Sequence, residues 1–240
     1  MRRPDRRLMP PSRLALLGEA RIVAEWAAMR AALPWLRRTA PRGDGGPVIV
    51  VPGFATDDGW TVSLRGFLRS IGHDARGWGL GRNHGRVPQL VPRIGERTAE
   101  LADEARRPVR LVGWSLGGYL AREAARESPD LVDRVITLGA PVVGGPKYTA
   151  SAPMYRKRGY DLDSIEADVE AREADPLPVP VEAVYSRSDG VVAWRACIDR
   201  RNPGVRHHEV RSSHLGLVAS PEVFRLVAEL LAAPPSSGGP

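Results

Sequence analysis

Three residues that can together carry out acyl transfer stand far apart in this chain. Ser115 lies in Gly113-Trp114-Ser115-Leu116-Gly117-Gly118, Asp189 in Ser188-Asp189-Gly190-Val191-Val192, and His214 in Ser213-His214-Leu215-Gly216. A serine hydroxyl is a poor nucleophile at neutral pH. It needs a base beside it, and the base needs a carboxylate to orient it. The pattern G-x-S-x-G provides the backbone for such a serine: a strand, a tight turn with the serine at its apex, then a helix. Its glycines let strand and helix approach closely while Ser115 takes a strained conformation. A tetrahedral oxyanion also needs donors. The N–H of Leu116, at a helix N-terminus, is one candidate. The other is the N–H of Phe54, in Val51-Pro52-Gly53-Phe54 after the first apolar run. Losing one such donor costs on the order of 3 kcal/mol in the transition state.

By itself the glycine-serine-glycine turn also fits an ordinary strand-to-helix turn, so the elements around it decide. Residues 48–51 are continuously apolar, as in a strand buried on both faces. Further strands are expected at 74–78, 109–112, 134–138, 181–185 and 208–210, with helices at 61–70, 89–107, 116–126 and 221–231. This alternation predicts a mainly parallel sheet of about six strands with helices on both faces. In such a sheet the strand ends share one edge. Ser115, Asp189 and His214 each follow a strand, so they converge there. The segment 141–180, with a short helix near 164–174, is too long for a turn and reads as a lid-like insert. The loop 79–88 holds several glycines with Arg82, Asn83 and His84.

Other titratable residues fit the chemistry less well. His207 and His208 are placed at a strand start, and His73 opens the weak strand at 74–78, so packing roles are favoured for all three. His84 could line the pocket. Asp130 and Asp133 flank the wrong end of a strand. Asp199 is the weaker alternative to Asp189, because it falls well past the strand end.

The 240 residues suit one domain with a sizeable core. Cys197 is the single cysteine, so no intrachain disulfide can form and a reducing compartment is favoured. No structural-zinc spacing occurs, and neither metal nor cofactor is expected. The net charge is +7, and Lys147 and Lys157 are the only lysines. The arginines are spread along the chain, often beside carboxylates. That reads as a general arginine bias rather than a dedicated anion-binding face, and no nucleic-acid partner is expected. Arg13, Glu19, Arg21 and Glu25 interrupt any secretory signal, so a cytoplasmic location is expected.

Residues 1–12 read as frayed. Leu14, Leu17, Ile22, Trp26, Met29 and Leu33 then form a stripe at near-helical spacing, with Ser12 as cap and Pro34 as terminator. The stripe is expected to pack on the domain, with peripheral membrane contact the less favoured alternative. The organisation is an N-terminal arm, amphipathic helix and linker at 1–46, a catalytic domain at 47–232 containing the 141–180 insert, and a disordered tail at 233–240.

With these segments in place the chain resembles the α/β-hydrolase superfamily, in its bacterial lipase and esterase branch. The matching residues are Pro52-Gly53-Phe54, the turn around Ser115, Ser188 to Val192 and Ser213 to Gly216, and the resemblance spans about 48–231. It implies an α/β-hydrolase fold, and the order Ser, Asp, His is that family's. The chain departs from the family pattern by lacking the first two of eight strands. It has Pro-Gly where many relatives have His-Gly, and it lacks a triple-glycine oxyanion loop. The resemblance implies a serine hydrolase cleaving a small-molecule or lipid carboxylic ester. An acyltransferase or thioesterase using the same acyl-enzyme, or a catalytically silent binding protein, are the alternatives. Trp114, Val142, Val143, Met154 and Val191 are candidates for the walls of an acyl pocket.

Overall fold

The computed structural model describes residues 8–234. The expectations of a frayed start and a disordered tail fall mainly on 1–7 and 235–240, outside the described residues. Six strands form one all-parallel sheet: β1 (Pro47–Val51), β2 (Asp74–Gly77), β3 (Val109–Trp114), β4 (Val132–Leu138), β5 (Val181–Tyr185) and β6 (Val205–Glu209). Their order across the sheet is β2-β1-β3-β4-β5-β6. The register pairs Val51 with Gly113 and Trp114 with Leu138, so the C-terminal ends of the central strands lie side by side. β6 begins at Val205, earlier than its apolar residues indicate, which puts His207 and His208 within the strand.

Helices cover both faces. They are α1 (Arg13–Leu17), α2 (Ile22–Thr39), α3 (Val62–Ser70), α4 (Val87–Ala105), α5 (Leu116–Glu127), α6 (Ala152–Lys157), α7 (Leu162–Arg172) and α8 (Pro221–Ala232). The two-residue repeat of β1 divides its side chains between two cores. Val48 and Val50 pack with Leu36 of α2, Phe67 of α3 and Phe224 of α8. Ile49 and Val51 pack with Ile94 and Leu101 of α4 and Leu120 of α5. Each fully buried side chain of this size contributes roughly 1.5–3 kcal/mol, which makes the central strands a rigid base for the loops at their ends.

The N-terminal segment departs from expectation twice. Ser12 does cap α1, its Oγ accepting from Ala15 N at 3.1 Å. Pro34, however, does not end the helix, which continues to Thr39. A proline removes one hydrogen bond, but the next turn carries Leu36 into the core with no exposed surface, and that burial offsets the loss. The apolar stripe is only partly the buried face. Met29 is buried and Leu33 packs on the core, but Leu14, Leu17 and Trp26 are exposed, and Glu19 and Leu36 are buried. No helix among the described residues is long and apolar enough to cross a membrane.

Candidate active site

Ser115 stands between β3 and α5 with φ 56° and ψ −126°, one of three non-glycine residues with positive φ among the described residues. Such a conformation costs about 1–3 kcal/mol and needs support from its surroundings. Ser115 N donates to Leu138 O at 2.8 Å, and Ser115 O accepts from Gly118 N at 2.9 Å. The turn also requires its glycines. A Cβ on Gly113 would lie 2.3 Å from Gly117 O, and one on Gly117 would lie 2.3 Å from Val51 O.

His214 Nδ1 and Asp189 Oδ2 are 2.7 Å apart, with both side chains almost fully buried. A carboxylate only accepts, so Nδ1 is the donor of this bond, and in the neutral tautomer that makes it Nε2 is the basic nitrogen. Asp189 Oδ1 is filled by the N–H groups of Val191 and Val192 at 2.8 and 2.7 Å. Those two bonds fix the carboxylate and aim its other oxygen at the imidazole. Trp114, immediately before Ser115, touches His214 twice. Its Nε1 donates to His214 O at 3.1 Å, and the two rings are 5.5 Å apart. Gly139, following β4, closes the group: a Cβ there would lie 3.1 Å from both Asp189 Oδ2 and His214 Nδ1.

The loop after β1 passes directly beside the serine, since a Cβ on Gly53 would lie 3.2 Å from Ser115 Cβ. The N–H groups of Phe54 and Leu116 have no hydrogen-bond partner among the described residues. Phe54, Leu116 and Ser115 all line one cavity of about 760 Å³. The insert supplies much of its remaining wall, including Pro141, Pro146, Tyr155, Ile165 and Val169. Asp189 and His214 are buried off that wall.

Of the five acyl-pocket candidates, Val191 lies on the cavity wall and the other four do not. Trp114 is buried, stacked 6.0 Å from Trp60 and tied to His214. Val142 is fully buried, and Val143 N bonds Ala196 O at 2.9 Å, where the chain runs along the loop after β5. Met154 is 39% exposed. Its neighbour Tyr155 takes the inward position on α6 and stacks on Phe54 at 4.4 Å.

Two residues at the site do not stand out in the sequence. Glu19, in the turn between α1 and α2, is only 6% exposed. Its Oε1 accepts from Gly190 N at 2.8 Å and His214 N at 2.9 Å, and its Oε2 accepts from Leu215 N at 2.9 Å. One turn into α2, Glu25 accepts from Ser213 N at 2.8 Å and from Ser213 Oγ. The N-terminal segment therefore grips both loops that carry Asp189 and His214. Each carboxylate fills with charge-assisted bonds, which are roughly twice as strong as neutral ones. The available signal was periodicity: Ile22, Glu25, Met29, Ala32 or Leu33, and Leu36 recur at helical spacing, which puts Glu25 on the buried face.

The competing residues have other partners. Asp199 pairs with buried Arg122, whose Nη2 also meets Glu173 of the insert, at 2.8 and 2.9 Å. Burial pushes the Glu173 carboxyl above its usual range. Burial would raise Asp199 too, but Arg122 and the bonds from Asn202 and Arg201 outweigh it and hold that carboxyl low. His207 Nε2 accepts from Asp199 N at 3.0 Å, and His208 Nε2 meets Glu182 at 2.7 Å. His73 is buried, and its ring nitrogens have no partner among the described residues. Burial lowers its pKa. Asp133 pairs with Arg110 and Arg134 at the far end of the sheet. Among the described residues no cluster of His, Cys, Asp or Glu is arranged to hold a metal ion.

No family model matches the sequence, and no curated protein does. Solved structures do match. A mature lipase from Bacillus licheniformis, BlEst2, superposes with a TM-score of 0.62 at 16% identity, over 81% of this chain and 95% of its own. A monoacylglycerol lipase from Paleococcus ferrophilus gives 0.58 at 16%, over 80% and 96%. Alpha/beta hydrolase domain-containing protein 10 from mouse gives 0.54 at 20%, over 79% and 89%. The chain has the α/β-hydrolase fold.

Proposed function

We propose that this chain uses its α/β-hydrolase fold as a serine hydrolase, cleaving carboxylic esters through an acyl-enzyme. One arrangement carries the reading. A positive-φ serine faces an apolar cavity, and a buried imidazole–carboxylate pair is held against the residue preceding it. In this mechanism Ser115 Oγ attacks the ester carbonyl while His214 Nε2 takes its proton. Asp189 keeps the imidazole in the required tautomer and stabilises its cation. The N–H groups of Phe54 and Leu116 receive the oxyanion. His214 then protonates the leaving alkoxide and, in the second half-reaction, activates water to release the acid.

The mainly apolar wall supports an ester with an apolar acyl chain, from a small molecule or a lipid. The lipases among the similar structures are consistent with that substrate. In the same reading, residues 47–232 form the catalytic unit, the 141–180 insert acts as its lid, and the N-terminal segment braces it. A panel of p-nitrophenyl esters of graded acyl length tests this on wild type, Ser115→Ala and His214→Ala. Turnover should depend on acyl length and fall about a thousandfold or more in either variant. Equal rates in wild type and Ser115→Ala would end the serine mechanism.

A further inference from the structure

The glycine-rich loop 79–88 takes no part in the chemistry above, yet it is bonded to the loop carrying Phe54. Asn83 Nδ2 donates to Pro52 O at 2.9 Å, Ala55 N to Asn83 O at 2.7 Å, and Asn83 N to Thr56 O at 2.8 Å. These bonds hold Ala55 at φ 61°, a second strained residue beside Ser115. Beyond this junction lies another cavity of about 600 Å³, whose wall carries Arg82, Arg86, Arg93, Arg158 and His84. No residue of that wall is acidic. Several arginines elsewhere are paired, Arg76 with Asp74 and Glu104, Arg110 with Asp44 and Asp133, Arg122 with Glu173 and Asp199. The four groove arginines have no carboxylate partner among the described residues.

The groove also adjoins the reacting centre. Arg82 Nε donates to Ala55 O at 2.8 Å, and the Arg158 guanidinium lies 5.1 Å from the centre of the Phe54 ring. Two of the four cations are thus fixed on the loop that offers the oxyanion donor. Arg86, Gln89 and Tyr160 line both cavities, so the two lie side by side across a shared wall.

We propose that this arginine groove binds a phosphate on the alcohol or thiol side of the substrate while the Ser115 cavity holds the acyl chain. The inference rests on the serine hydrolase reading and names the substrate class for that site: an acyl ester or thioester of a phosphorylated alcohol or thiol. Guanidinium groups match phosphate oxygens in a two-point geometry, and phosphate supplies the negative charge that the groove wall lacks. In turnover, Ser115 Oγ bonds to the acyl carbon, and the bond from that carbon to the departing oxygen or sulfur breaks. The serine proton passes through His214 to the departing atom, which leaves as the phosphorylated alcohol or thiol. Water then adds its oxygen to the acyl carbon, the bond from that carbon to Ser115 Oγ breaks, and one of the water's protons returns through His214 to Ser115 Oγ, freeing the acid.

Binding is measured first, on full-length Ser115→Ala, with a short-chain alkyl-ether glycerol phosphate and the same ether without its phosphate. The phosphate-bearing ligand should bind about tenfold or more tightly, as expected for charge-assisted bonds to one phosphate. That advantage should vanish in the added double substitutions Arg82→Gln/Arg158→Gln and Arg86→Gln/Arg93→Gln. All four residues are exposed, and unchanged melting temperatures confirm folding. Equal affinity for the two ethers, or an advantage that survives both double substitutions, overturns the proposal. Because these ligands are not hydrolysed, the result is independent of whether Ser115 turns over esters, and failure of that reading shows separately in the p-nitrophenyl assay. Wild-type turnover then distinguishes two sources of the phosphate. Acyl-glycerol phosphate is compared with acyl glycerol, and acyl-coenzyme A with acyl-pantetheine. The larger phosphate-dependent gain in kcat/KM assigns the source, and no gain in either pair contradicts the proposal.

Discussion

At the His214 loop, the carboxylates that reach inward are filled: Glu19 holds three backbone N–H groups and Glu25 holds the amide and hydroxyl of Ser213. At the Phe54 loop, four guanidinium groups gather around a groove with no carboxylate on its wall. Both regions place charge within one loop of the candidate nucleophile, but they differ in burial and in partner. Glu19 is buried and satisfied by the fold, so its charge fixes the geometry. The arginines are exposed, so their charge is free for a ligand. A buried charge stripped of its partners is costly, whereas an exposed one is hydrated and screened. Pairing and burial together therefore separate the charges that hold the site from those that can address a substrate.

The most severe way to break the paired side is to remove Arg122, which joins Glu173 of the insert to Asp199. Arg122→Met removes the cation between two buried carboxylates, leaving Glu173 only Arg126 at 3.7 Å, and should cost about 3–5 kcal/mol of stability, read as a lower midpoint in urea unfolding. A midpoint unchanged from wild type would show that the cluster is not holding the insert. Glu19→Gln comes next. The amide can still accept, but its NH2 end faces a backbone donor, so at least one charge-assisted bond is lost at about 1.5–3 kcal/mol. Ester turnover should fall about tenfold or more through kcat, with KM little changed. A drop in KM affinity alone would assign Glu19 to substrate binding rather than to positioning His214. The smallest effect sharpens the contrast through salt. Exposed charges are screened beyond about 8–10 Å at physiological ionic strength and closer still above it. Raising the salt should therefore erode the preference for phosphate-bearing ligands several-fold, while neutral-ester turnover stays near its low-salt value. If both respond alike, the distinction between the two regions fails.

What the sequence made legible divides along the same line. The strands and the turn at Ser115 are written in local patterns: continuous apolar runs, and glycines where a Cβ would collide with backbone. Asp189 and His214 followed from strand-end placement in a parallel sheet. The brace was not legible, because Glu19 and Glu25 resemble solvated helix residues and their partners lie 171 to 196 positions away. Glu19 takes a buried position while Leu14, Leu17 and Trp26 face outward, so that part of the apolar stripe was misleading. The groove was hidden for a related reason. Arg82, Arg86 and Arg93 belong to the loop before α4 and to α4 itself, Arg158 comes from the insert, and only folding brings them together. In an arginine-rich chain, composition alone could not distinguish these four from the paired ones.

The central claim is that Ser115 is an activated nucleophile. Its most direct test is covalent labelling of the full-length folded protein with a fluorophosphonate, with the adduct mapped by peptide mass. The account predicts one equivalent of label on the peptide containing Ser115, none in Ser115→Ala, and much slower labelling in His214→Ala. Folded wild-type protein that takes up no label, or takes it up at a serine other than Ser115, would contradict it.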